Sequence, residues 1–314
     1  MNIAGARVLV TGGTGFLGSW LVEALEARYA ESVVAPRRAD CDFRSWNATR
    51  QLFEQCQPDL VIHAAANSGG LDFHLAFPAD IFRDNLLMTV NILEASAIFR
   101  VKKLVLIGSS CAYPGHLAGP MKEEDVLQGP LHASVAPFGL SKRAMFIGAQ
   151  AYREQHGLQA IWLLLTNLYG PRDAFDREYG HVVSTLVRRF VDAAQTGASS
   201  VTCWGSGAAR RECLFVKDAA EAVLRAVECY DAPEPLNIGT GIPITIRELV
   251  ELLKELSGFP GEVVWDRSKP DGALNKVFDV SKMVAVLDWR PSTDLRQGLA
   301  ETISWFKAHH VAYA

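Results

Sequence analysis

The 314-residue sequence lacks the features of membrane, nucleic-acid-binding and secreted proteins. An apolar run such as 161–165 is far shorter than the roughly 20 residues that span a bilayer. The net charge is −4, so the chain lacks the positive charge that attracts nucleic acid or an anionic membrane. It also lacks the basic and apolar regions of a secretory signal at its start. We therefore expect a soluble, cytoplasmic protein that binds neither nucleic acid nor a membrane.

The cysteine and histidine patterns indicate neither a metal site nor a set of disulfides. The six cysteines are scattered without a Cys-x-x-Cys pair, and the eight histidines show no metal-ligand spacing. Free thiols are the ordinary state of such cysteines when no secretory signal is found. We predict neither a disulfide framework nor a metal site.

Apolar segments and helical patterns alternate along the first half of the chain. The patterns predict strands at 7–10, 32–35, 60–65, 104–107 and 160–165, and helices at about 17–29, 48–56, 82–99 and 141–156. Strands that are apolar on both faces and alternate with helices are typical of a doubly wound parallel sheet. We predict a Rossmann-type α/β fold, followed by a smaller α/β C-terminal domain that contains a helix at about 182–195.

A glycine-rich loop joins the first predicted strand to the first predicted helix. Residues 11–18 read Thr-Gly-Gly-Thr-Gly-Phe-Leu-Gly, which contains Gly-x-x-Gly-x-x-Gly. Such a loop lets the backbone approach a pyrophosphate, whose charge lies at the N-terminus of the helix. We predict a dinucleotide site whose contacts include Gly12, Thr14, Gly15, Phe16, Leu17 and Gly18.

The end of the second predicted strand indicates which dinucleotide binds. An acidic residue there would hold the ribose of NAD, whereas an arginine accommodates the 2′-phosphate of NADP. Here Arg37 and Arg38 follow the strand with no carboxylate before them, although Asp40 and Asp42 lie close behind. We predict NADP(H), with contacts from Arg37, Arg38 and Asp42. The alternative is that both arginines are simply solvated surface residues.

Six motifs occur in order along the chain. They are the glycine loop, Ala64-Ala65-Ala66 with Gly69-Gly70, Gly108-Ser-Ser-Cys-Ala-Tyr-Pro114, Thr166-Asn-Leu-Tyr-Gly-Pro171, Trp204-Gly-Ser-Gly207 and Lys269-Pro-Asp-Gly272. Together they resemble the extended short-chain dehydrogenase/reductases, and within them the GDP-L-fucose synthases, over nearly the whole chain. This resemblance implies an enzyme that epimerises C3 and C5 of a GDP-4-keto-6-deoxy-mannose and then reduces C4 with NADPH. It also implies a homodimer.

The resemblance carries roles for four residues. Ser109 corresponds to the serine that hydrogen-bonds the reacting C4 oxygen, and Lys142 to the lysine that binds the nicotinamide ribose. Cys111 and His181 correspond to the acid/base pair at C3 and C5. Carbons beside a ketone are acidic enough for a positioned thiolate or imidazole to exchange their protons. The alternatives are that Cys111 is a small buried apolar residue and that His181 caps a helix.

Binding residues and domains follow from the same motifs. The resemblance implies further cofactor contacts at Ala64, Ala65, Lys142, Asn167 and Leu168, and substrate contacts at Ser110, Asn167, Arg189, Trp204, Arg211 and Asp271. We expect residues 1–168 plus about 215–240 to bind NADP. Residues 169–214 plus about 241–314 are expected to bind the nucleotide sugar, most simply a GDP-linked one.

One departure from the family pattern concerns the reduction itself. The family has Tyr-x-x-x-Lys, but this chain has Phe138-Gly-Leu-Ser-Lys142, so the phenol that protonates the C4 alkoxide is absent. We therefore expect reduction to be impaired. The sequence is compatible with an engineered inactive form and with a natural enzyme of altered chemistry. Smaller departures are Phe215, Lys217 and Asn275, where the family tends to carry histidine, aspartate and a basic residue.

Two other functions fit the same sequence. One is a related epimerase, oxidoreductase or dehydratase that acts on another nucleotide sugar or a nucleoside, although the Ser-Ser-Cys segment lacks the Thr-Asp-Glu of nucleotide-sugar dehydratases. The other is a catalytically silent NADP-binding protein. The presence of Ser109, Cys111, Lys142 and His181 favours an enzyme, because a silent protein has no chemical need for all four.

Overall fold

Helices and strands alternate through the residues that the structure, a computed structural model, describes: 1–175, 180–269 and 271–310. Pro270 of the 269–272 motif lies outside them. The strands are β1 Arg7–Thr11, β2 Ser32–Val34, β3 Leu60–His63, β4 Lys103–Ser109, β5 Ala160–Leu165, β6 Asn167–Tyr169, β7 Ser200–Trp204, β8 Arg210–Arg211, β9 Cys213–Phe215, β10 Leu236–Ile238, β11 Ile244–Thr245, β12 Glu262–Asp266 and β13 Asn275–Lys276. The helices are α1 Phe16–Glu26, α2 Trp46–Cys56, α3 Leu71–Ala76, α4 Pro78–Ile98, α5 Ala136–His156, α6 Val182–Thr196, α7 Val216–Cys229, α8 Ile246–Ser257, α9 Ser281–Leu287 and α10 Leu295–His309. Within these ranges no helix has the length and apolar character needed to cross a bilayer.

A six-stranded parallel sheet forms the centre of the first part of the chain. Its strands lie in the order β2-β1-β3-β4-β5-β10. Successive side chains of a strand point to opposite faces, so Val8 and Val10 enter one apolar core while Leu9 enters the other. Helices α1, α7 and α9 cover the first face, and α2, α4 and α5 cover the second. The predicted doubly wound fold is confirmed.

A third apolar core lies outside this sheet. Leu186 of α6, Leu253 of α8 and Phe306 of α10 are among its buried members, beside the two-stranded sheet of β7 and β12. The short strands β8, β11 and β13 form a further small sheet. These elements form a second lobe, which supplies the far side of the cleft described below.

Several predicted boundaries are wrong, and the error at the start of α5 affects the site. Helix α5 begins at Ala136 rather than at residue 141, and α4 begins at Pro78 rather than at 82. Each has a proline in its first turn, where the missing N–H has no helical partner to lose. Helix α1 ends at Glu26 and β3 ends at His63, both earlier than predicted, while α3 was not predicted. The earlier start of α5 places Phe138 and Lys142 on one helix.

A buried carboxylate joins the sheet to the second lobe. Glu212 is 0% exposed, and its two oxygens accept the N–H groups of Phe278 at 2.7 Å, Gly241 at 2.9 Å and Thr240. Its backbone oxygen accepts the side chains of Thr166 and Asn167. Segments that follow β5, β10 and β13 therefore meet at this one residue.

We predict that Glu212→Gln lowers the free energy of unfolding by about 1–3 kcal/mol, because an amide N–H₂ would face a buried backbone N–H and leave it unpaired. Urea unfolding followed by circular dichroism measures this change. Glu262→Gln is the matched control, since Glu262 is exposed on β12 and we expect a change within about 0.5 kcal/mol. Equal midpoints for the two variants would contradict the role given to Glu212.

Candidate functional site

The glycine loop presents backbone N–H groups at the start of α1. Gly15 is the N-cap residue of α1, and no side chain caps the helix. Its first N–H groups, in the turn formed by Phe16, Leu17 and Gly18, therefore have no helical acceptor. Gly12 has a positive φ of 69°, and a Cβ there would lie 2.8 Å from the Cα of Ala65. The loop thus lies directly against Ala64 and Ala65 and forms a cradle that suits a pyrophosphate.

The two arginines after β2 differ in their partners. Arg37 pairs with Asp40 at 3.1 Å, whereas Arg38 is exposed, makes no hydrogen bond or salt bridge in the described part of the chain and lies within electrostatic range of Asp42. Asp42 accepts a hydrogen bond from Arg44 at 2.9 Å, and this contact lowers the pKa of Asp42 to about 2. The nearby carboxylates are therefore each held by an arginine, and Arg38 is available to an anion.

The Ser-Ser-Cys segment follows β4 at the carboxyl edge of the sheet, where ligands bind in open α/β folds. The Ser109 hydroxyl accepts the N–H of Cys111 at 3.2 Å and so caps the 3₁₀ turn Ser110–Ala112. A Cβ on Gly139 would lie 2.2 Å from the Cys111 backbone oxygen, so only glycine allows α5 to pack this closely. Helix α5 and the Cys111 turn are consequently held in one fixed arrangement.

Phe138 and Lys142 are four residues apart on α5 and lie on the same face of the helix. The Lys142 Nζ is 5.4 Å from the centroid of the Phe138 ring and donates to the Ile107 backbone oxygen at 2.8 Å. Burial lowers the pKa of Lys142 to about 8. Phe138 is 5% exposed and carries no ionisable group. The lysine is thus the proton-bearing side chain of this pair.

A lysine that the motifs do not single out lies next to Cys111. The Lys276 Nζ on β13 is 3.4 Å from the Cys111 Sγ, which is half-buried. Arg211 and Lys142 are also within electrostatic range of this sulfur. A thiolate formed at Cys111 would be stabilised by these three positive charges. Only its place a few residues after the Lys269–Gly272 motif could have drawn attention to Lys276.

His74, a second residue that the motifs do not single out, contacts Phe138 and lies within electrostatic range of Lys276 and His181. His181 occupies the N-cap position of α6, but its ring forms no capping hydrogen bond and lies 3.2 Å from Asp173. His74 of α3 is buried with its ring centroid 5.2 Å from that of Phe138. Burial, aided by the charges of Lys276 and His181, lowers the pKa of His74 to about 4. The structure therefore gathers Cys111, Lys276, His74 and His181 around one cleft.

Four of the six predicted substrate residues, Arg189, Trp204, Arg211 and Asp271, lie on the second lobe. Arg211 donates to the backbone oxygens of Ala273 at 2.7 Å and Asp271 at 3.2 Å. The Asp271 carboxylate accepts from Ser206, two residues after the partly exposed Trp204. Arg189 is exposed on α6 and donates to Thr202 of β7 at 3.2 Å. Trp204, Arg211 and Asp271 are thus brought together, with Arg189 beside the same strand β7.

Asn167 and Leu168 form part of β6, which lies at the junction of the two lobes. Asn167 donates to the backbone oxygen of Glu212 at 3.1 Å, and Leu168 is half-buried beside β9. The buried Ser110 lines a small pocket next to Cys111. Tyr113, His132, Asn275 and Lys276 also line it. Residues from both lobes therefore surround the space beside the candidate base. No group of three or more His, Cys, Asp or Glu residues in the described ranges could hold a metal ion.

Comparisons with known proteins agree with this arrangement. The pattern of the NAD dependent epimerase/dehydratase family matches residues 8–239. A probable GDP-L-fucose synthase of Oryza sativa subsp. japonica is 39% identical over 303 residues, which cover 96% of this chain and 92% of the plant protein.

Solved structures show the same relationship. A GDP-6-OMe-4-keto-L-xylo-heptose reductase from C. jejuni has a TM-score of 0.92 at 28% identity and covers 99% of both chains. A GDP-L-fucose synthetase from Naegleria fowleri, bound to NADP, has a TM-score of 0.89 at 29% identity and covers 97% of this chain and 95% of its own. The resemblance inferred from the six motifs is confirmed. The chain belongs to the NAD dependent epimerase/dehydratase family and is related over nearly its whole length to the GDP-L-fucose synthases.

Proposed function

We propose that this protein is an NADP(H)-dependent nucleotide-sugar 3,5-epimerase/4-reductase of the GDP-L-fucose synthase type. Its substrate is a GDP-4-keto-6-deoxy-hexose or a close relative. The observation that carries this proposal is the 3.4 Å contact between Lys276 and Cys111, which places a positive charge beside the Cys111 sulfur and next to the Ser109 and Lys142 segment. The near-full-length relatives named GDP-L-fucose synthases support the substrate class.

We also propose that the chain has two domains, each of which binds a different ligand. Residues 1–168 plus about 215–240 would hold the cofactor, and residues 169–214 plus about 241–314 would hold the nucleotide sugar. The pairing of β10 with β5 supports the first assignment, and the separate apolar core of α6, α8 and α10 supports the second. On this division Arg211 and Trp204 bind the substrate from one side while Ser109 and Lys142 act from the other.

The cofactor is NADP(H) rather than NAD(H). The glycine loop would hold the pyrophosphate, and Arg38 would meet the 2′-phosphate that distinguishes the two dinucleotides. Bound to this chain, the dinucleotide supplies a hydride donor. NADP in the Naegleria fowleri structure supports the same choice.

We predict that Arg38→Ala weakens NADPH binding roughly 10- to 150-fold, because a charge-assisted contact to phosphate contributes about 1.5–3 kcal/mol. NADH binding should change little, so the preference for NADPH narrows; isothermal titration calorimetry measures both affinities. The matched control is Arg37→Ala, which removes a side chain already paired with Asp40 and should have a smaller effect. Equal affinities of the unsubstituted protein for NADPH and NADH would exclude the assignment.

Epimerisation at C3 and C5 requires proton removal on one face of the sugar and proton return on the other. The Cys111 thiolate, beside Lys276, is suited to removing a proton from a carbon next to the C4 ketone. His181, partly exposed on the second lobe, is suited to returning one. The guanidinium of Arg211 is suited to the diphosphate of the substrate, because its planar donors match phosphate oxygens.

We predict that Cys111→Ser and His181→Asn each abolish deuterium uptake at C3 or C5 of a GDP-4-keto-6-deoxy sugar in D₂O. NADPH affinity should be unchanged, because neither residue belongs to the glycine loop. NMR of the recovered sugar measures the uptake. Cys229→Ser and His156→Asn, both exposed and away from the cleft, should behave like the unsubstituted protein. Uptake that persists in both cleft variants would remove these residues from the mechanism.

A second candidate function is the reduction of a GDP-linked 4-keto heptose. The C. jejuni heptose reductase superposes over 99% of both chains, which favours this candidate. His132 and Asn275, which line the small pocket beside Cys111, are polar groups suited to hydrogen-bonding a hydroxylated substituent at C5 of the sugar ring. Turnover of the heptose without deuterium exchange at C3 or C5 would favour this candidate over the first. Absence of turnover with both substrates would favour a silent NADP-binding protein.

We propose that Phe138 makes C4 reduction slower than epimerisation. Enolisation next to the ketone requires no phenol, whereas the alkoxide left by hydride addition requires a proton. A positioned acid contributes roughly 10²–10⁴-fold to such a step.

A homodimer formed through α4 and α5 is the expected assembly. The two helices pack side by side, and each exposes large apolar side chains: Phe82, Leu87, Val90 and Ile98 on α4, and Leu140 and Ile147 on α5. Exposed apolar patches of this kind mark protein interfaces. We propose that a second copy of the chain covers them. The cytoplasmic location expected from the sequence stays a prediction.

We predict that Val90→Glu or Ile147→Glu converts the dimer to a monomer, because a charge would be buried without a partner. Sedimentation velocity at micromolar concentration measures the mass. Tyr29→Glu is the matched control, since Tyr29 is the most exposed large apolar residue at 83% and lies away from these helices. A monomeric unsubstituted protein, or variants that remain dimeric, would exclude this interface.

A further inference from the structure

Lys142 is a buried ammonium that makes a single hydrogen bond to the described part of the protein. It is 3% exposed, and it donates one hydrogen bond, to the Ile107 backbone oxygen at 2.8 Å. An ammonium has three N–H donors, so two of them have no acceptor in the part of the chain that the structure describes. Ile107 is two residues before Ser109 on β4. The family resemblance assigns one of these N–H bonds to the nicotinamide ribose, which leaves one to face the sugar at the edge of the sheet where the proposed reduction takes place.

Phe138 places a hydrocarbon ring where the family has a phenol. The Lys142 Nζ lies 5.4 Å from the ring centroid, so the ammonium and the ring are direct neighbours. We propose that Lys142 supplies the proton to the C4 oxygen of the sugar and is the general acid of the reduction in this chain. This inference rests on the proposed function, because it requires a 4-keto sugar in the cleft.

The proton step balances without any group beyond those of the proposed reaction. Hydride addition to C4 breaks the C–O π bond and leaves its electron pair on oxygen as an alkoxide. An N–H bond of the Lys142 ammonium then breaks and an O–H bond forms, directly or through one bridging hydroxyl. The lysine is left as a neutral amine and takes a proton back from solvent. The ketone is reduced and the dihydronicotinamide is oxidised, as in the proposed function.

Other proton-bearing groups near Phe138 are less suited to this step. The Tyr113 hydroxyl is buried and donates to the Asn237 Oδ1 at 2.7 Å. His74 contacts the Phe138 ring, but its lowered pKa of about 4 leaves it neutral at pH 7. The Ser109 hydroxyl is a far weaker acid than an ammonium, although it can relay a proton.

The surroundings of Lys142 also suit an acid. Burial lowers its pKa to about 8, partly offset by Cys111 on the turn after β4. His63 on β3 is the other titratable group within its range and is neutral, because burial lowers the pKa of His63 to about 3. Glu94 on α4 and Arg143 on α5 are engaged elsewhere, with Tyr152 and with the Ala112 and Gly129 oxygens. An acid whose pKa is near the working pH is both protonated and able to release its proton.

The test compares Lys142→Arg in two backgrounds, the unsubstituted chain and Phe138→Tyr. Arginine keeps the positive charge but does not release a proton near neutral pH. In the unsubstituted chain we expect reduction to fall at least about 100-fold. In the Phe138→Tyr background a phenol is present, and we expect a loss below about tenfold. Phe138→Tyr alone should raise reduction at least about tenfold. Equal losses in the two backgrounds would overturn the proposal, since Lys142 would then act only by positioning.

A pH series gives a second, independent test. The acid must be protonated, so reduction by the unsubstituted chain should fall about tenfold per pH unit above about 8, and Phe138→Tyr should remove this dependence. Without any substrate, trace acetylation of Lys142, followed by mass spectrometry from pH 6 to 10, should show half-maximal reactivity near pH 8. A pH-independent reduction, or no reduction in the unsubstituted chain while Phe138→Tyr is active, would overturn the proposal. Absence of both deuterium exchange and reduction in every variant would instead refute the proposed function.

Discussion

A single buried carboxylate determines how the two lobes of this protein meet. Glu212 accepts backbone N–H groups from segments after β10 and β13, while its own neighbours in the chain are Arg211 and Cys213. An unpaired donor in the interior would lower the stability of the fold by more than a single surface contact raises it. The position of Arg211 is therefore tied to that of Phe278, and Lys276, two residues earlier, is carried to within 3.4 Å of Cys111. The cleft depends on this junction more than on either lobe alone.

Charge in the cleft is arranged by burial as much as by sequence. Lys142, Arg211 and Lys276 surround Cys111, and burial lowers the pKa values of the first two. His74 lies near one of these cations and is kept neutral by its burial and by the charges of Lys276 and His181. A diphosphate substrate and an enolate intermediate are both anionic, so a cationic cleft stabilises each of them. One arrangement of charge can thus serve both binding and proton transfer.

The fold could be predicted from the sequence because its signals are local. Apolar runs, helical spacing and the glycine loop each lie within about ten residues, and they correctly indicated a doubly wound parallel sheet. The start of α5 was predicted five residues too late, because Pro137 was not recognised as a first-turn residue. His74 and Lys276 could not be predicted, since their importance comes from contacts with residues distant in sequence. The roles of Arg38, Cys111 and His181 came from motifs and stay predictions.

Cys111 and Lys276 are 165 positions apart in the sequence, and this separation has a consequence for how the protein is made. During synthesis a domain folds as its residues become available, but the central sheet lacks its last strand until residues 236–238 have been added. The contacts of Phe278 with Glu212 and of Lys276 with Cys111 come later still. A nascent chain can therefore form the dinucleotide loop well before it has a complete cleft. If the ribosome stalled between these points, the unfinished polypeptide could bind the cofactor but would lack the complete cleft that the reaction requires.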